Sequence, residues 1–93
     1  MANAIITFKV MPESPDTDLE AIKEQAFNIA KEEGSKGEMQ AEIIPIAFGL
    51  KALHVLAMYE VKEGKDFDEI AAKMKELDGV QSAEVFKMDL AMG

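Results

Sequence analysis

The stretch Lys51-Ala-Leu-His-Val-Leu-Ala-Met-Tyr-Glu-Val61 is apolar at nearly every position and contains neither glycine nor proline. Leu53, Val55, Leu56, Met58 and Tyr59 break the wet-dry alternation of a surface strand, so the run predicts a central strand covered on both sides. A central strand needs a hydrogen-bonded neighbour along each edge, so its partner strands must flank it.

Upstream, Met39, Ala41 and Ile43 alternate with Glu38, Gln40 and Glu42, the period of a strand with one wet face, and Pro45 closes it. Before it, Gly34-Ser-Lys-Gly37 reads as a loop. At the chain start, Ala4 to Met11 is β-branched and apolar and stops at Pro12, which predicts a buried strand followed by a Pro12-Glu-Ser-Pro15-Asp-Thr turn. Thr17 with Glu20 three residues on is a capping-box pattern, so Asp16 or Thr17 is expected to accept the amide hydrogens of a helix start. Leu19, Ile22, Ala26, Ile29 and Ala30 then recur at helical spacing, with Glu20, Glu24, Asn28 and Lys31 on the other face. This helix is expected to end at Gly34.

Downstream, Lys62-Glu-Gly64-Lys is a turn, and Asp66 with Glu69 caps a second helix whose Phe67, Ile70, Ala71, Met74 and Leu77 form one apolar stripe. Asp78-Gly79 ends it. Val80 to Met88 alternates loosely and predicts a fourth strand, with Asp89 to Gly93 as a short tail. The order β-α-β-β-α-β predicts an α+β, ferredoxin-like sandwich: a four-stranded antiparallel sheet with two helices on one face, forming a single domain over residues 1–93.

Composition supports one modest core. At this length roughly 60% of the unfolded surface becomes buried on folding, and 48% hydrophobic with 30% charged residues is ordinary globular content. Ten lysines against eighteen acids give 10 − 18 = −8, with no arginine and no cysteine. Without the guanidinium fork that grips phosphates and reads guanine edges, direct nucleic-acid binding is not expected. An acidic surface also repels anionic membranes and favours a basic patch on another protein. Residues 16–36 carry six acids and three lysines, and residues 60–78 seven acids and four lysines, so each helical region contributes −3. The start of the chain lacks the pattern of a secretory signal, and no run approaches the ~20 apolar residues of a membrane span. A soluble, cytoplasmic protein is expected.

Catalytic chemistry has few candidates. His54 is the sole histidine, lies within the apolar central strand, and has no cysteine or second histidine to complete a nucleophilic or zinc set. It reads as a residue of a sheet face. Ser14, Ser35 and Ser82 have no evident base beside them. Asp66, Asp68 and Glu69 bracket a helix start, where capping and the helix dipole explain acids, and calcium-loop spacing is missing. Gly34-Ser-Lys-Gly37 does not have phosphate-loop spacing. The methionines, Met39, Met58 and Met74 among them, fall on apolar stripes and read as core filling. No enzyme, metal or cofactor is expected.

One connection departs from this pattern. Pro45-Ile46-Ala47-Phe48-Gly49-Leu50-Lys51 sets Ile46, Phe48 and Leu50 in what should be a polar loop. Two readings stand: an apolar tip exposed as a contact patch, or Phe48 folded back over the end of the core.

Val10-Met11-Pro12-Glu13-Ser14-Pro15-Asp16 followed by Asp18-Leu19-Glu20, then Pro45 to Leu53, then Gly79-Val80-Gln81-Ser82-Ala83-Glu84-Val85, resembles the archaeal translation elongation factor 1-beta family over essentially the whole chain, in order. The resemblance implies a non-catalytic guanine-nucleotide exchange factor. Its partner would be elongation factor 1-alpha, bound in the GDP form and stabilised without nucleotide, so that GTP and aminoacyl-tRNA can rebind. It further implies that Phe48 packs on the second domain of the GTPase, with Pro45, Ile46 and Gly49 shaping the loop and Lys51 among the partner-binding residues, while the carboxy-terminal strand and tail approach the nucleotide site. The family's basic residue there falls on Leu90, and the tail Met88 to Gly93 holds no cation; Lys87 is the nearby substitute, and Asp89 could compete for switch-region cations. The alternative is a ferredoxin-like regulatory or oligomerisation module binding a small ligand. A hydrolase of acylphosphatase type would need an arginine, which the chain lacks.

Overall fold

Ala4, Ile6, Phe8 and Val10 occupy alternate positions of β1 (Asn3–Pro12), and all four are fully buried. Period-two alternation sends them to one face of the sheet, where both helices lie. The computed structural model describes residues 3–61 and 66–91. After β1 come α1 (Leu19–Glu32), β2 (Lys36–Pro45), a single 3₁₀ turn (Ala47–Gly49), β3 (Lys51–Glu60), α2 (Phe67–Lys75) and β4 (Val80–Ala91). The four strands form one antiparallel sheet in the order β2-β3-β1-β4. This is the expected ferredoxin-like arrangement. The turn expected at Lys62 to Lys65 lies outside the described residues.

β1 is the axis of the molecule. Its register with β3 runs from Asn3↔Glu60 to Val10↔Leu53, and with β4 from Asn3↔Ala91 to Pro12↔Val80. On the helix side Leu53, Val55, Ala57 and Tyr59 of β3 join the β1 row, and Ile22, Ala26 and Ala30 of α1 with Ile70, Ala71 and Met74 of α2 close over them. Burying a side chain such as Phe8 or Ile22 is worth about 1.5–3 kcal/mol. Tyr59 adds a directional tie between layers: its hydroxyl donates to the Ala30 carbonyl at 3.0 Å, and its ring meets Phe67 at 5.3 Å between centroids. Burial, and secondarily the charge of Glu33, pushes the Tyr59 hydroxyl up to about 12. Lys73 of α2 pairs with Glu33 at the end of α1, joining the two helices.

Three expectations are corrected. β3 is central, but it is not covered on both sides: His54, Leu56, Met58 and Glu60 on the face away from the helices are half-buried, shielded by neighbours within the sheet and by no second layer among the described residues. The α1 cap is Asp18, whose carboxylate accepts from the amides of Glu20 at 3.1 Å and Ala21 at 3.3 Å. Thr17 instead accepts from the Ser14 amide and closes the preceding turn, and its methyl lies against Gly79. Gly79 has φ 87°, a conformation that strains any L side chain, and a Cβ built there would lie 3.0 Å from that methyl, which would have to give way. Finally, Asp89 to Ala91 are not a tail. They pair with Ile5, Ala4 and Asn3 and extend β4 to twelve residues against the ten of β1. Two register irregularities absorb the difference, leaving Gln81 and Phe86 as the extra residues.

Candidate functional site

Pro45↔Lys51 is the last pair of the β2-β3 ladder, so Ile46 to Leu50 form a five-residue hairpin loop. The Ile46 amide donates to the Leu50 carbonyl at 2.7 Å, and the Leu50 amide returns to the Ala47 carbonyl at 3.3 Å. Closing so short a loop between these bonds places two successive residues in the left-handed region: Phe48 at φ 63°, ψ 31° and Gly49 at φ 77°. Glycine adopts this conformation readily, whereas an aromatic L-residue gives up of order 1–2 kcal/mol. Phe48 is nevertheless 94% exposed, with Ile46 40% exposed beside it. The ring does not fold over the core; of the two readings of this loop, the exposed tip is the one observed. A bulky side chain held in strained backbone with nothing of its own fold to touch is the kind of residue that a binding surface accounts for.

The second group lies at the other end. Antiparallel partners share a face. Lys87 and Asp89 pair with Thr7 and Ile5 and so stand on the face away from the helices, while Met88 and Leu90 pair with the buried Ile6 and Ala4 on the helix side. Their side chains are nevertheless left uncovered there: Met88 is 54% and Leu90 71% exposed. Lys87 Nζ sits 3.6 Å from the Asp89 carboxylate, both side chains more than half exposed.

The eight residues singled out from sequence therefore fall into two clusters. Pro45, Ile46, Phe48, Gly49 and Lys51 lie beyond the level of Val10, while Lys87, Asp89 and Leu90 lie between Thr7 and Ala4. Val10 and Ala4 alone are separated by ~20 Å of strand, and the molecule is 42 Å in its longest dimension. One rigid sheet thus carries two exposed apolar patches, one at each end. Sequence reasoning missed Phe86 and Met88, 53% and 54% exposed. A signal was present: Ala83 and Val85 are two apart but Val85 and Met88 are three apart, the signature of an inserted residue.

His54 lies on the open sheet face with its ring against Phe86, in keeping with its reading as a sheet-face residue. Among the described residues no cluster of three or more His, Cys, Asp or Glu could hold a metal. Among the same residues, no helix is long and apolar enough to cross a membrane.

Residues 5–90 match the EF-1 guanine nucleotide exchange domain. The chain is 39% identical over 83 residues to elongation factor 1-beta of Pyrococcus abyssi, covering 89% of each chain. It is 40% identical over 90 residues to elongation factor 1-beta of Methanosphaerula palustris, covering 97% of this chain and 99% of that one. Among solved structures, the de novo designed protein Foldit4 superposes with a TM-score of 0.63 at 16% identity over 98% of both chains, a likeness of fold alone.

Proposed function

The chain belongs to the EF-1 guanine nucleotide exchange domain family, and on that premise we propose that it is a translation elongation factor acting in the cytoplasm, where it promotes GDP release from elongation factor 1-alpha. It makes and breaks no covalent bond. It binds the GDP-loaded GTPase and stabilises the nucleotide-free state, so exchange is a coupling between two binding equilibria: the bound factor weakens GDP, and bound GDP weakens the factor, by the same ratio.

The observation that carries this reading to particular residues is Phe48. An aromatic side chain 94% exposed at a strained hairpin tip is suited to be the anchor that fills a pocket on a partner. Pro45 and Lys51 fix the base of the hairpin, and Ile46 and Gly49 shape its tip. At the far end, Lys87, Asp89 and Leu90 are the residues that meet the nucleotide-binding domain. Leu90, where the family's basic residue falls, brings an exposed apolar side chain. Lys87 supplies the cation from three residues earlier and is held beside Asp89. Perturbation of the nucleotide site is accordingly shared between a paired cation and an apolar wedge.

The test is release of labelled GDP from purified elongation factor 1-alpha, with and without this protein at micromolar concentration. Acceleration that saturates with the factor is expected. A release rate unchanged by it would overturn the proposal.

A further inference from the structure

The face on which each residue of the β4 end stands is decided by one inserted residue. Val85 pairs with Phe8 and Lys87 with Thr7, so Phe86 has no partner of its own on β1. Without that insertion the strict alternation of a strand would turn Lys87 and Asp89 toward the helix side and Met88 and Leu90 onto the open face. Elsewhere in the sheet such a slip is forbidden by the core. Here the core is silent, because Met88 and Leu90, though on the helix side, remain exposed.

Something other than burial must hold the register, and Phe86 is placed to do so. Its ring reaches across β1 to His54 of β3, with centroids 4.9 Å apart and planes tilted by 43°. Lys9 Nζ of β1 stands 5.6 Å from the centre of the same ring. Lys9 pairs with His54 on one side and Glu84 on the other, and His54 pairs with Glu42, so the contact is seated in a ladder crossing all four strands. The bulged residue is thus fastened to β1, the neighbour of β4, and to β3 beyond it. A tilted aromatic pair and a cation over a ring face are attractive geometries.

We propose that Phe86 is a positioning residue for nucleotide exchange: clamped by His54 and Lys9, it pins the bulge that puts Lys87 and Asp89 on one face and Leu90 on the other. Its part in exchange rests on the exchange-factor reading above; its hold on the register does not.

The experiment compares Phe86→Ala, Phe86→Tyr and His54→Ala with the parent in two measurements. The first is the Thr7-Lys87 cross-strand contact, read by NMR on the isolated domain. The second is GDP release, split into the half-saturating concentration and the rate at saturation. Phe86→Ala is expected to lose or multiply the Thr7-Lys87 contact and to slow saturated release at least ~tenfold, within the range that an ångström-scale misplacement costs. Half-saturation should change less than about threefold, since Phe48 is untouched. Phe86→Tyr, which keeps the ring, should restore both. His54→Ala shifts the same two readouts in the same direction and carries the test if Phe86→Ala does not fold. Retention of the Thr7-Lys87 contact in both alanine variants would overturn the clamp whatever happens to exchange. Slowed release with the contact intact would equally overturn it, by making Phe86 a contact residue. If the parent itself does not accelerate release, the functional reading fails and the NMR comparison still decides the clamp.

Discussion

Phe48 carries two costs in the free domain, a left-handed backbone and an aromatic ring in water, and a substitution can separate them. Phe48→Gly removes both, and is expected to leave the fold as stable or to stabilise it by up to about 1 kcal/mol, a rise of ~4–8 °C in midpoint at most for a domain of this size. Phe48→Ala keeps the strained backbone and should move stability by no more than about 0.5 kcal/mol, the usual limit for a residue without packed neighbours. Both should weaken association with elongation factor 1-alpha by about thirtyfold or more, the loss expected of an interface anchor worth about 2 kcal/mol. Calorimetry on the free domain and titration of the GTPase check the two halves. Destabilisation by either variant would show that the ring is packed, and unchanged affinity would remove it from the interface. The sequence marks this residue as an apolar side chain in a loop, but its conformation is not legible there. The positive φ follows from closing five residues between Pro45 and Lys51, a constraint of the ladder and not of residue type. The choice of Asp18 over Thr17 as cap escapes for a similar reason: both can cap, and only the packing of Thr17 against Ser14 and Gly79 decides between them.

At the scale of elements, the Tyr59 hydroxyl joins β3 to α1 and makes that junction sensitive to alkali. The ordinary phenol value is 10.0 and the folded one about 12, so the folded state keeps its proton where the unfolded chain has lost it. Its stabilising contribution is complete below pH 10 and is lost as pH rises toward 12. Lys73 is also raised, by its hydrogen bond to Glu33 and then by that carboxylate's charge, and loses its pairing in the same alkaline direction. Tyr59→Phe should therefore cost about 1 kcal/mol at neutral pH, the worth of the hydrogen bond to Ala30, and should flatten part of the alkaline fall, leaving the lysine part. Thermal midpoints between pH 7 and 11 for both proteins test this, and parallel curves would refute it. The helices and most of the first three strands are legible in the sequence because their apolar spacing is unbroken, but β2 starts at Lys36, within the stretch that reads as a loop. β4 is legible only to Met88. Its two extra residues shift the period at Gln81 and Phe86, so the alternation looks loose and its continuation through Leu90 resembles a tail. The coverage of β3 was overestimated for a different reason: Leu56 and Met58 are apolar enough for a buried face, yet within-sheet neighbours suffice to half-bury them.

For the molecule as a whole, a charge of −8 spread over 93 residues sets the approach to a partner. Attraction to a basic surface of the GTPase should speed encounter at low salt and fade as the screening length falls from about 30 Å at 0.01 M to about 8 Å at 0.15 M. Stopped-flow association is expected to slow by about tenfold across that range with dissociation nearly constant; an association rate indifferent to salt would place the recognised surface away from basic charge. The sign of this field is visible in the composition alone. The distance between the two patches is not, since it depends on which strands pair and in which direction. That distance has its own consequence. A hydrogen-bonded sheet does not stretch, so a partner that grips the hairpin tip and the β4 end together must hold its two receiving surfaces at one separation. If the proposed contacts at both ends form together, the domain would act as a caliper of fixed jaw, favouring the partner conformation whose span matches it.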